Sequence, residues 1–150
     1  MEPPRNPNVL LRQFINGSLA NELLARELGP TGVSPNQFAV ESVIGAFGPV
    51  TPTELAARLG MAPTTLSTWI RRLTESGHVQ RRPNPGDGRS YLLELTESGR
   101  TGVQAAGPRF SAALLALEEE LGDSAAEVGA AGAALESALR RLLASPAISQ

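Results

Sequence analysis

Apolar residues recur at helical spacing along most of the chain. Between Asn8 and Leu28, the residues Leu11, Ile15, Leu19 and Leu23 fall on one stripe and predict a first helix. The same reading predicts helices over about 35–47, 52–59, 63–76, from just after Thr96 to Leu121, and over 124–144. The period changes only once. His78–Arg82 and Ser90–Leu95 read as two strands joined by a Pro83–Arg89 loop rich in proline and glycine. The tail from Ser145 is expected to fray.

Local punctuation agrees with these limits. Ser34-Pro35-Asn36-Gln37 and Thr51-Pro52-Thr53-Glu54 each place a hydroxyl at the N-cap, proline at the first helical position and Gln or Glu at the third. That order predicts two capping boxes, with Gln37 as the partner of Ser34. Gly29, Gly48, Gly60 and Gly77 each follow a periodic run, where a helix stops. In the fifth helix Val103, Phe110 and Leu117 lie seven apart, with Ala106, Ala113 and Leu121 between, close to a coiled-coil seam. Pro108 should kink it by removing the bond to the Gln104 carbonyl. Gly129 and Gly132, set among alanines, would let the last helix approach another closely.

The centre of the chain carries the most specific pattern. In Thr53–Leu73, two short helices flank a tight turn at Gly60-Met61. Leu55 and Leu59 would face inward from the first, and Leu66, Trp69, Ile70 and Leu73 from the second. This is a helix-turn-helix arrangement. The remaining positions of the second helix are Thr64, Thr65, Ser67, Thr68, Arg71 and Arg72, with no acid before Glu75. A plain solvated face would carry Glu and Lys; hydroxyls and guanidinium groups are donors suited to phosphates and base edges. A hairpin directly after such a unit makes a winged helix. Its tip would project Arg89, with Asp87 orienting that guanidinium by a charge-assisted bond. Arg81 and Arg82 leave the first strand on opposite faces, so one of them should meet DNA.

Charge distribution supports this placement. The net charge is −2, which taken globally argues against a polyanionic partner. Yet from Thr51 to Ser90 there are six arginines and three acids, a local excess of +3, whereas both flanks are negative. All 13 basic side chains are arginine, so every cationic contact would be a guanidinium fork.

On these residues the chain resembles the MarR family of bacterial transcription regulators. The resemblance rests on ELA-x-x-LG at Glu54–Gly60, RL-x-x-x-G at Arg72–Gly77, R-x-x-x-x-x-D-x-R at Arg81–Arg89 and LT-x-x-GR at Leu95–Arg100. It implies a mainly α fold with a small β-hairpin: a winged helix-turn-helix DNA-binding core flanked by N- and C-terminal dimerisation helices. The expected division is 1–33, 34–96 and 97–150. The implied activity is that of a dimeric repressor on a pseudo-palindromic site, read by helix 63–76 and wing 78–95. DNA contacts are expected from Thr64, Thr65, Ser67, Thr68, Arg71, Arg72, Arg81, Arg82, Asp87 and Arg89. Dimerisation would use helices 1, 5 and 6. The family's small-molecule effectors often bind between the dimer helices and the winged helix; here Phe14, Gln37, Phe38 and Phe110 are candidates, although core packing explains the three phenylalanines more simply, and the Ser34 cap explains Gln37.

Composition narrows the alternatives. There is no cysteine and one histidine, His78, which excludes disulfides, thiolate chemistry and cysteine-ligated metals. No nucleophile–base pair or phosphate loop is present, so neither enzymatic activity nor a cofactor is expected. His78 reads as a strand-start residue that packs or meets phosphate, in preference to a pH switch or a ligand contact. No basic-then-apolar leader and no run of about 20 apolar residues occurs, which points to a soluble, cytoplasmic protein without membrane contact. The competing function is a winged-helix protein-interaction module that does not bind DNA.

Overall fold

A computed structural model describes residues 8–146; the stretches 1–7 and 147–150, including most of the tail expected to fray, lie outside the described residues. The order is α1 (Val9–Leu28), α2 (Pro35–Phe47), α3 (Pro52–Leu59), α4 (Pro63–Glu75), β1 (Val79–Pro83), β2 (Tyr91–Leu95), α5 (Glu97–Leu121) and α6 (Ala125–Ala144). The fold is mainly α with one antiparallel hairpin, as the hydrophobic pattern required, and element limits agree to within a residue or so. Among the described residues, no helix is long and apolar enough to cross a membrane.

The chain forms two compact units that divide within α5, between Ala113 and Leu114. The first contains two apolar clusters. The larger is built from Val40 and Ile44 of α2, Leu55 of α3, Leu66, Ile70 and Leu73 of α4, and Val50, Val79, Leu93 and Leu95 around the hairpin. The smaller joins Leu28, Val33, Phe38 and Ala106, with Leu24, Val103 and Phe110 packed against it. The second unit comprises the end of α5, a short 3-10 turn and α6. The helix α5 is assigned as unbroken through Pro108.

The two caps behave differently. At α3 both halves of the box form: Thr51 Oγ1 accepts from the Glu54 N–H at 3.2 Å, and Glu54 Oε2 accepts from the Thr51 N–H at 2.8 Å. That backbone donor, helped by the Thr51 hydroxyl, holds the Glu54 carboxyl below its ordinary value. At α2 only half forms. Ser34 Oγ accepts from Gln37 N at 3.2 Å, but the Gln37 side chain turns away to Glu41, 3.0 Å distant. The reciprocal bond expected from Ser34–Gln37 is therefore replaced by an interior one.

Thr51→Ala is expected to lower stability by about 1 kcal/mol in urea unfolding, the usual cost of a lost N-cap. Because Glu54 is held low in the folded state, its contribution is present above the usual carboxylate range and disappears as pH falls through it. Wild-type stability should accordingly decline on acidification.

Candidate nucleic-acid interface

The interface is assembled by α3, its turn and α4. Gly60 takes the left-handed conformation, φ 61°, and Met61 N–H reaches back to the Ala56 carbonyl at 3.1 Å. That close turn allows α4 to pack on α3 through Leu66, Ile70 and Leu73, all buried, with Trp69 half-buried. Burying this stripe turns the opposite face outward. Thr64, Thr65, Ser67, Arg71 and Arg72 are exposed, and Thr68 is partly so. The Thr68 hydroxyl donates to the Thr64 carbonyl at 3.3 Å, one turn back. The N-cap of α4 is Ala62, which supplies no side-chain acceptor. The C-terminus closes through Gly77 at φ 76°: Gly77 N–H donates to Thr74 O at 3.1 Å and His78 N–H to Leu73 O at 2.9 Å. The hairpin therefore begins directly after the C-terminal cap of α4.

Hairpin register places Val79 opposite Leu95, Arg81 opposite Leu93 and Pro83 opposite Tyr91. The residue before the Thr51 cap joins this sheet: Val50 exchanges two backbone bonds with Leu93, at 3.1 and 2.8 Å. This bridge ties the wing to the start of α3. Nothing in Gly48-Pro49-Val50 reads as a strand, so the sequence pattern missed it.

The loop is shaped by two side-chain turns. Asn84 Oδ1 accepts from Gly86 N at 3.0 Å, and Asp87 Oδ1 accepts from Arg89 N at 3.0 Å. Asp87 thus holds the backbone of Arg89; the expected bond to the guanidinium is not the one it makes. Among the described residues Arg89 and Arg71 form no ion pair and are exposed.

Arg81 and Arg82 do point to opposite faces, and they meet different neighbours. The Arg81 guanidinium lies 4.6 Å from the Tyr91 ring centre. Arg82 donates to Glu94 Oε2 at 2.9 Å, and Gln80 donates to the other oxygen of the same carboxylate. Arg82, with Gln80 second, holds the Glu94 carboxyl below its ordinary value. Much of the Arg82 charge is therefore already answered within the wing, whereas Arg81 is stacked but not neutralised. Arg72 is similarly set over Trp69, at 5.4 Å.

The four effector-pocket candidates do not converge. Phe38 and Phe110 meet, with ring centres 5.0 Å apart, in the smaller apolar cluster. Gln37 is committed to Glu41, and Phe14 is 73% exposed on α1, outside that cluster. The sequence reading also passed over Glu41, whose signal was an acid on the apolar face of α2. Among the described residues, no group of three or more His, Asp or Glu side chains could hold a metal ion.

A family model described as "MarR family" matches residues 31–90. The chain is 36% identical over 93 residues to an uncharacterized HTH-type transcriptional regulator, ML2140, of Mycobacterium leprae, covering 59% of this chain and 65% of that protein. It is 35% identical over 79 residues to the multiple antibiotic resistance protein MarR of Salmonella typhimurium, covering 53% and 55%. The matched stretch thus spans just under two thirds of the mycobacterial relative. Among solved structures, it is similar to the M. tuberculosis transcriptional regulator MOSR in complex with DNA, with a TM-score of 0.73 and 26% identity over 88% of this chain and 98% of that one. It is also similar to a mutant MarR from E. coli complexed with operator DNA, with a TM-score of 0.71 and 27% identity over 90% and 94%.

Proposed function

We propose that the chain is a member of the MarR family and, on that premise, a homodimeric, sequence-specific transcription regulator of double-stranded DNA. The observation that carries this reading is the outward face of α4: four hydroxyl side chains and two arginines beside a wing whose tip presents Arg89, which forms no ion pair among the described residues. On this reading α4 enters the major groove. Thr64, Thr65, Ser67, Thr68 and Arg71 lie toward base edges and phosphates, and Arg72 toward the backbone. The wing supplies Arg81 and Arg89 to the adjacent backbone or minor groove, with Asp87 fixing the tip. Arg82 contributes less, because Glu94 already holds it.

Dimerisation is supported by what each unit leaves uncovered. In the first, α1 exposes Val9, Leu10, Leu11, Phe14, Ile15 and Leu19. In the second, Leu114, Leu115, Leu117, Val128, Leu142 and Leu143 are exposed. Apolar surface on this scale marks an interface. A second copy fits it, because a two-fold dimer sets two recognition helices about one turn of DNA apart, on a pseudo-palindromic site. We further read it as a cytoplasmic repressor, not an enzyme, relieved by a small molecule. A ligand binding near Phe38 and Phe110, the two candidates that meet, would act by favouring one separation of the two recognition helices.

The test is a gel shift on the DNA upstream of the protein's own coding region, with sedimentation of the free protein. The expected result is a dimer that retains one specific band against excess unrelated DNA. A monomer, or retardation equally competed by any duplex, would refute the proposal. A folded dimer with no DNA affinity would favour the protein-interaction module.

A further inference from the structure

Glu41 is the one charged side chain in the core among the described residues, 0% exposed on α2. Its Oε1 lies 2.6 Å from His78 Nδ1 and accepts from Gln37 Nε2 at 3.0 Å. Its Oε2 is buried and has no partner, as does the neighbouring Ser42 hydroxyl. Gln37 Nε2 also lies 3.3 Å from His78 Nδ1. The shorter contact decides the roles: the amide donates to the carboxylate, and a proton lies between His78 Nδ1 and Glu41 Oε1, 2.6 Å apart.

A lone buried carboxylate with one bare oxygen is strongly unfavourable. A net-neutral pair, as imidazolium against carboxylate or as imidazole against carboxylic acid, would relieve that cost. Both arrangements hold one proton more than a neutral imidazole beside an ionised carboxylate. Removing it leaves uncompensated charge in the core. The relief available is for His78, whose side chain is 24% exposed, to move off Glu41 and admit water.

Such a movement would bear directly on the wing. His78 is the residue at which four elements meet. Its N–H caps α4 at Leu73 O, and its carbonyl accepts from Thr96 N–H at 3.0 Å at the start of α5. It immediately precedes β1, and its ring reaches α2. From α5 the pair is faced by Gly102, whose added Cβ would lie 3.7 Å from the ring and 3.8 Å from Glu41 Oε2. Gly99 packs on the His78 carbonyl. Neither brings charge, and Gln37 and Ser42 on α2 are neutral. Arg100 is directed to the Leu95 carbonyl, 2.8 Å away.

We infer that Glu41 and His78 are positioning residues for DNA binding: the proton they share holds the base of the wing on α2, in register with α4, and its loss weakens binding. This rests on the DNA-binding reading above. The sign follows from linkage: the binding-competent form carries the extra proton, so affinity is highest at low pH and falls as pH rises. The chain is well suited to the measurement. It has one histidine and no cysteine, so between about pH 5.5 and 8 few other groups change charge, the terminal amine chief among them.

The experiment measures the Kd for operator DNA by fluorescence anisotropy across that range at fixed salt, for the wild-type chain, Glu41→Gln and His78→Gln. In parallel, the single histidine Cε1–H resonance of the free protein is titrated. The wild type should lose at least about tenfold in affinity from low to high pH, the change expected when one coupled proton is lost over about one pH unit. Both variants should have nearly flat profiles, and Glu41→Gln should shift the histidine titration. If Glu41→Gln does not fold, as judged by circular dichroism, His78→Gln, at a partly exposed position, carries the comparison. A wild type that binds with a flat profile, or variants as pH-dependent as the wild type, would overturn the inference alone. A wild type that binds at no pH would instead overturn the DNA reading, and the inference with it.

Discussion

Alanine at both Arg71 and Arg89 is expected to weaken operator binding by roughly 2–6 kcal/mol, or about 30-fold at the least. Each arginine is worth about 1–3 kcal/mol where it meets a base or a phosphate. Their effects should add, because one lies on α4 and the other at the wing tip, so they share no protein partner. Both are exposed and neither forms an ion pair among the described residues, so neither loss is offset by freeing an acid. The single variants should differ in kind. Arg71→Ala should relax discrimination at particular base pairs, whereas Arg89→Ala, if its contact is to phosphate, should weaken all sequences equally and reduce the salt dependence. Arg82→Ala is the internal control, with a smaller loss because Glu94 already takes up that charge. Titrations of specific and unrelated duplexes at two salt concentrations read all three. Unchanged binding in the double variant would mean that the interface lies elsewhere.

Gly99→Ala is expected to destabilise the fold by about 3 kcal/mol, while Gly102→Ala, three residues along the same helix, should be neutral or gain up to about 1 kcal/mol. A Cβ at Gly99 would lie 2.1 Å from the His78 carbonyl oxygen and 3.0 Å from its carbon. These are backbone atoms, fixed by the Thr96 bonds to the Gly77 and His78 carbonyls. The methyl can be housed only by parting α5 from the base of the wing. At Gly102 the nearest atoms to an added Cβ are 3.7–3.9 Å away, ordinary contact distance, so the gain in helix propensity is felt without a clash. Urea unfolding of the two variants provides the comparison. Equal effects would refute the claim that close approach, and not helix propensity, selects glycine at 99.

Much of this architecture was legible in the residue pattern because the signals are local. Thr51 and Glu54 are three residues apart and complete their cap within one turn. Gly60 and Gly77 stand where a helix must leave through positive φ. Leu66, Ile70 and Leu73 recur at helical spacing, so burying them turned the hydroxyls and arginines of α4 outward without further instruction. The motifs from Glu54 to Arg100 lie in a continuous stretch, and that is why the family could be recognised.

What the pattern missed depends on residues distant in sequence. Nothing near Gln37 indicates that its amide will abandon the Ser34 cap for Glu41, because the competing partner exists only once α2 packs. Nothing near Val50 marks it as a partner of Leu93. The sequence favours a plain strand-start role for His78 over a pH switch; the carboxylate 37 residues away that meets its ring is visible only in the fold. The six central arginines, equivalent in a count of charge, were sorted by the fold into one paired with Glu94, three stacked on Phe47, Tyr91 and Trp69, and two exposed without ion pairs among the described residues. Helix limits, caps and the outward face of α4 followed from interactions within a few residues of each other. The buried proton-sharing pair, the anchoring of the wing and the division of labour among the arginines were decided by tertiary packing, because desolvation and charge pairing depend on which distant groups that packing brings together.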